Sequence, residues 1–292
     1  MVKLRVLASA VVLAMGASAC SINLSAEQWV GTEKKTFAVT GKPEITLKTF
    51  DGSIEVTAWD RPEVGLVIER RAGSQADGEA LKVTTAQEGN RITVEAIQPE
   101  REVQVGFHVG RSVKYIVSVP KTSDLVARSG DGSITVTDVR GRLELRSGDG
   151  SIKGSGLDGE VTASTGDGSV TLQGVRGNVD VNTGDGSVVV AGAPTSLKAH
   201  TGDGSVTLDV DAGSAVSKDW EITTGDGSVK LSLPGTVNAE LDASTGDGGI
   251  SASDFGLETS PDNRDQLSGR LGTGGPKLKV RTGDGSITVA KK

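Results

Sequence analysis

Eight aspartates pose the first chemical question. Asp131, Asp149, Asp167, Asp185, Asp203, Asp226, Asp247 and Asp284 each sit between two glycines, at four intervals of 18 residues followed by intervals of 23, 21 and 37. Carboxylates and backbone carbonyls are the hard oxygen donors that calcium takes, so Asp131, Asp149, Asp167, Asp185 and Asp203 form a candidate calcium ladder. The pattern departs from the calcium-binding β-roll, whose Gly-Gly-x-Gly-x-Asp nonapeptide would occur twice per 18 residues. The alternative is a structural role. Asp tolerates tight turns and accepts from a nearby backbone N–H, while flanking glycines permit positive φ. Carboxylates ~4.8 Å apart repel by ~0.9 kcal/mol in water, and one side-chain to backbone hydrogen bond worth ~0.5 to 1.5 kcal/mol offsets that. Some β-helices hydrolyse polysaccharide with clustered carboxylates as acid and base, which makes Asp149 and its neighbours candidates for that chemistry as well. Identical groups in identical turns are poorly placed to drive two pKa values apart, which that chemistry needs.

Little else in the chain suggests catalysis. His108 and His200 are the only histidines, and neither belongs to an H-E-x-x-H or Cys/His metal spacing. No G-x-S-x-G elbow or phosphate-binding G-x-x-x-x-G-K-[ST] loop occurs. No enzymatic activity, catalytic residue or small-molecule cofactor is expected. With a net charge of −7 the chain lacks the basic footprint of a nucleic-acid binder.

Cys20 is the one cysteine, so it closes no intramolecular disulfide. Lys3 and Arg5 precede an apolar run from Val6 to Met15, and Ala17-Ser18-Ala19 leads directly to Cys20. This is a signal-peptide layout over residues 1–19, too short to span a bilayer, which takes ~20 apolar residues. Ala17-Ser18-Ala19-Cys20 resembles a bacterial lipoprotein cleavage box, except that the box commonly begins with Leu. Ordinary cleavage at Ala-Ser-Ala is the alternative. The resemblance implies a lipidated Cys20 at the new N-terminus, and Ser21 after it implies an outer-membrane destination in a host with two membranes. Residues 20–34 then read as the lipidated terminus and a polar tether.

The elements that carry the aspartates follow from the period. Three residues past each Asp come Ile134, Ile152, Val170, Val188, Val206, Val229, Ile250 and Ile287, a purely β-branched column. Apolar and polar residues alternate around it, which predicts half-buried strands. A second strand precedes each turn, with Leu143 and Leu145, Val161 and Ala163, or Val179 and Val181 inward. One unit cannot bury its face alone, so stacked units must share one core. The predicted fold is all-β: a parallel β-solenoid, right-handed, of ~18-residue coils with two short strands each. Facing sheets ~10 Å apart hold few large rings, which accounts for only three Trp, one Tyr and four Phe in the chain, while 16 of its 41 glycines belong to the eight Gly-Asp-Gly turns. Ser and Thr flanking the turns should form hydroxyl ladders bonded to one another and to the turn backbone. Residues 35–122 read as a degenerate β-rich start of the solenoid and 123–292 as its regular part. Extra residues fall near 211–218 and 234–238, and an insertion loop spans about 253–276, where a variable contact surface is expected. Lys291 and Lys292 at the end of the chain would discourage edge pairing.

Asp51 to Asp60 (DGSIEVTAWD), Tyr115 to Pro120 (YIVSVP) and the tandem S/T-G-D-G-S-I/V units together resemble the bacterial putative adhesin family of β-helical domains of unknown function. The resemblance covers nearly all of the chain after the signal. It implies a cell-envelope protein without known catalytic residues, held to the membrane by its lipid and meeting an envelope or surface protein through its repeats. A calcium-stabilised surface module and a carbohydrate-active β-helix are the alternative functions.

Overall fold

The computed structural model describes residues 29–97, 110–214, 216–259 and 264–292. Cys20, the signal segment and His108 lie outside these residues. The described chain is nearly all β. It has 22 strands, one short α-helix (Gln75–Ala80) and one 3-10 turn (Ser253–Phe255).

The repeat units pair in parallel with an 18-residue offset. One ladder holds the strands that precede the Gly-Asp-Gly turns: Leu125 faces Leu143, which faces Val161, then Val179, Leu197 and Trp220. The other holds the strands that follow them, running Ile54, Ile134, Ile152, Val170, Val188, Val206, Val229. Successive strands of the chain alternate between the ladders. Val170–Thr183 and Val188–Thr201 run through both, joining all the strands into one hydrogen-bonded sheet. Period-two alternation puts the apolar columns inside, where they are nearly fully buried, and the β-branched side chains suit the pleated surface.

A third buried column was not apparent in the sequence. It runs through the corners between the two ladders, such as Asp138-Val139-Arg140-Gly141 and Gly174-Val175-Arg176-Gly177, where Val139, Leu157 and Val175 are fully buried. These corners are where glycine supplies left-handed backbone: Gly141, Gly159 and Gly177 have φ of 146°, 122° and 96°.

Both ends depart from sequence order. The last strands of the chain, Lys277–Thr282 and Ile287–Lys291, slot between the unit at Trp220–Thr224 and Val229–Leu233 and the unit at Ala239–Thr245 and Ile250–Ser251. At the other end, Arg91–Ala96 and Ser112–Pro120 lie beyond Glu44–Thr49 and Ile54–Trp59. The C-terminal lysines therefore guard no free edge. Lys292 donates its N–H to Leu233 O at 2.8 Å, and its ammonium lies 2.5 Å from Asp209.

Antiparallel strands close each end. The segment 253–276 is not simply a surface loop. Its strand Gln266–Leu271 pairs antiparallel with Ala239–Thr245 and buries Leu267 and Leu271, because the last unit otherwise leaves one edge and its apolar face open. Residues 29–34, expected within the tether, belong to the strand Trp29–Ala38, which pairs antiparallel with Glu63–Ala72. Strand Val83–Glu88 covers Arg91–Ala96 in the same way. The helix Gln75–Ala80 starts at Ser74, whose hydroxyl accepts from the Asp77 N–H at 3.1 Å. Its Gly78 lies so close to the Trp29 ring that no side chain fits there.

Candidate functional site: the Gly-Asp-Gly edge

The aligned turns form one continuous edge. Each begins with a buried hydroxyl, and nine of the ten buried polar residues among those described are Thr49, Ser129, Ser147, Thr165, Thr183, Thr201, Thr224, Thr245 and Thr282. Their burial is possible because each hydroxyl has a hydrogen-bond partner in the backbone. In the turns that begin with Ser129, Ser147, Thr201, Thr224 and Thr282 the hydroxyl accepts from the N–H of the second glycine of its own turn, at 3.0 Å for Gly132 to Ser129 and Gly150 to Ser147 and 3.2 Å for Gly204 to Thr201. Each of the nine donates to a carbonyl of the neighbouring unit at 2.7 to 3.0 Å: Thr49 to Val113, Ser129 to Gly52, Ser147 to Gly132, Thr165 to Gly150, Thr183 to Gly168, Thr201 to Gly186, Thr224 to Gly204, Thr282 to Gly227 and Thr245 to Gly285. That chain of donors records the stacking order, including the displaced unit at Thr282.

The glycines serve a different purpose from the one their sequence suggests. None of the glycines at 130, 132, 148, 150, 166, 168, 184, 186, 202, 204, 225, 227, 246, 248, 283 or 285 has the positive φ that a tight turn would ask for. Instead, a Cβ on any of them would fall under 3.0 Å from a backbone carbonyl of the adjacent unit, closer than real Cβ atoms approach. Glycine is required by contact between units, not by the conformation within one.

The aspartates also differ from expectation. The hydroxyl, not the carboxylate, bonds the turn backbone. The eight Gly-Asp-Gly aspartates are exposed, and their backbone N–H groups hold the stack, as in Asp149 to Gly130 O and Asp203 to Gly184 O, both at 3.3 Å. Among the described residues their carboxylates have no hydrogen-bond or ion-pair partner. The row therefore includes Asp131, Asp149, Asp167, Asp185 and Asp203 as a stacked, solvent-facing series. Asp51 continues it in the degenerate unit. Burial pushes the Asp51 carboxyl above its ordinary range, and the neighbouring Asp131 charge pushes it further. No group of three or more His, Cys, Asp or Glu among the described residues is close enough to hold one metal ion.

Away from the turns, the outward face of the first ladder is dense in ion pairs such as Arg128–Glu144 at 2.8 Å, Arg142–Glu160 at 3.2 Å and Arg281–Asp242 at 2.8 Å. His200 is exposed there, lining a depression with Asp180, Lys198 and Glu221. Glu221 is engaged by Lys279 at 2.9 Å, which holds its carboxyl below the usual range. Among the described residues no helix is long and apolar enough to cross a membrane.

A family model described as Toastrack DUF4097 matches residues 42–290. No curated protein matches the chain. Among solved structures, a putative cell adhesion protein from Clostridium sporogenes is 12% identical, covering 90% of this chain and 100% of its own, at a TM-score of 0.28. A putative adhesin from Bacteroides fragilis is 11% identical over 89% of this chain and 97% of its own, at 0.39. A putative lipid binding protein from Parabacteroides distasonis is 14% identical over 88% and 96%, at 0.34. Superpositions this loose do not constrain the function of the present chain.

Proposed function

The chain belongs to the Toastrack DUF4097 family, and from that premise we propose that it is an exported, non-enzymatic protein of the bacterial cell envelope, anchored through a lipidated Cys20. In this reading the parallel ladders are the wall of a right-handed β-solenoid, and the Gly-Asp-Gly edge is the surface that meets a protein or another envelope component. The observation that carries the reading is the unspent row of carboxylates. Fold stability is served by the buried hydroxyls and the glycines, so aspartate at this position answers to something outside the stack. Neutralising Asp149, Asp167 and Asp185 to Asn should leave the melting temperature within a few degrees of wild type and abolish crosslinking to the envelope partner in intact cells. Unchanged crosslinking by a folded triple variant would end the reading. The anchor is tested separately by palmitate labelling, which Cys20→Ser should eliminate.

The same observation favours a second reading, in which calcium ions neutralise the row and stabilise the module. Chelation by EGTA would then lower the melting temperature, and an unchanged melt excludes it.

A further inference from the structure

The displaced order of the last units gives one turn a chemistry that the others lack. Asp-Gly occurs eleven times in the sequence, at Asp51, Asp77, Asp131, Asp149, Asp158, Asp167, Asp185, Asp203, Asp226, Asp247 and Asp284. The glycine after Asp is the least hindered residue that can present its backbone nitrogen to the preceding carboxyl. In ten of these pairs that glycine is buried or half-buried; Gly248 alone is exposed, as are Gly246, Asp247 and Gly249 around it.

The cause is position in the stack. At Asp185–Gly186, Gly184 O accepts from the Gly202 N–H at 2.5 Å and Gly186 O accepts from the Thr201 hydroxyl at 2.8 Å. The turn is thus clamped from the following unit. At Asp247–Gly248 only the inner side is held, through Asp247 N–H to Gly283 O at 2.9 Å. Among the described residues nothing donates to Gly246 O or Gly248 O. A Cβ on Gly249 would meet nothing within 4 Å. Strand Gln266–Leu271 covers the strand before this turn and stops short of the turn itself, its register ending at Ser244 opposite Gln266.

We propose that Asp247 is the site at which the folded protein isomerises to isoaspartate. The Gly248 nitrogen, losing its proton, attacks Cγ of Asp247; the N–Cγ bond forms, a carboxyl C–O bond breaks, and one water leaves to give a succinimide. Water then adds back at either ring carbonyl, regenerating Asp or routing the main chain through the β-carboxyl. No oxidant or co-reactant is needed. The product inserts an extra carbon into the backbone. The open outer side of the last unit accommodates it, whereas a clamped turn must first separate from its neighbours, a local opening with its own free-energy cost.

The test is to age the full-length protein at physiological pH and body temperature beside a denatured control. Peptide mapping with fragmentation that distinguishes the isomers, and methyl transfer by an isoaspartyl methyltransferase, report the product. In the folded protein isoaspartate should appear at Asp247 at least ~tenfold faster than at any clamped turn, and the denatured chain should lose this preference, as expected if local stability sets the rate. Asp247→Glu should remove most of the methyl-accepting signal from the folded protein. Equal rates at Asp247 and at clamped turns such as Asp185 in the folded protein would overturn the assignment, as would a rate at Asp247 below theirs.

Discussion

Alanine at Gly186 and alanine at Gly249 should move stability in opposite directions, although both glycines belong to Gly-Asp-Gly turn segments and neither has positive φ. Replacing glycine where the backbone is compatible restricts the unfolded chain and stabilises by ~0.4 to 1 kcal/mol. Gly249→Ala should show that gain, since a methyl there meets nothing within 4 Å. At Gly186 the methyl would fall under 3.0 Å from Gly168 O, Gly168 C and Ser169 N, all backbone atoms of the adjacent unit that no rotamer change can move away. Overpacking of this kind costs ~1 to 3 kcal/mol. Forcing the units apart also weakens the Thr183 hydroxyl bond to Gly168 O, now 2.9 Å, and such a bond contributes ~1 kcal/mol. Taking ~3 for the clash and ~1 for the bond, less ~1 regained from the unfolded chain, leaves a net loss of ~3 kcal/mol. For a chain of this size the melting temperature should fall by roughly 6 to 12 °C. Thermal melts followed by circular dichroism of both variants beside wild type are the assay. If Gly186→Ala melts with or above wild type, the glycines are not set by contact between units and the account of the edge fails.

The hydroxyl column predicts that Thr201→Val destabilises by about 1 to 3 kcal/mol, because it strips the Gly186 O of a donor and the Gly204 N–H of an acceptor at a fully buried site, while Thr201→Ser stays close to wild type in the same denaturant titration. The displaced C-terminal unit is checked by paired cysteines in a Cys20→Ser background. Thr223→Cys with Arg281→Cys should oxidise to a disulfide, being adjacent across the ladder at ~4.8 Å; Thr223→Cys with Ser244→Cys should not, being two strands apart at ~9.6 Å, and the reverse result would restore sequence order. Asp51→Asn should stabilise the protein at neutral pH and low salt by up to about 1 kcal/mol. The raised Asp51 carboxyl penalises the folded state only when ionised, so the variant's advantage should vanish as pH falls below the ordinary carboxylate range; an advantage that grows on acidification contradicts the cause assigned.

The sequence by itself determined what repeats locally. The β-branched column from Ile134 to Ile287 specified a strand with one face inward, and the 18-residue interval specified neighbours in register, because each unit's pattern is complete within its own residues. It also located the aligned aspartates. It misattributed their glycines, since a glycine's composition signal is the same whether φ or a neighbouring carbonyl demands it, and the carbonyl belongs to a residue 18 positions away. Val139 and Leu157 were hidden for a related reason: at a corner no alternation marks which residue turns inward.

Only the tertiary structure decided the order of the end units. Every unit offers the same hydroxyl, glycine and β-branched columns to both of its neighbours, so the unit at Thr282 satisfies the one at Thr224 as well as the unit at Thr245 would. The pattern that makes the repeat legible makes its members interchangeable. What separates them is the closure of the open end, where the antiparallel strand that carries Leu267 and Leu271 covers the edge of the last unit and buries both leucines against it, and that constraint exists only once the stack has been assembled.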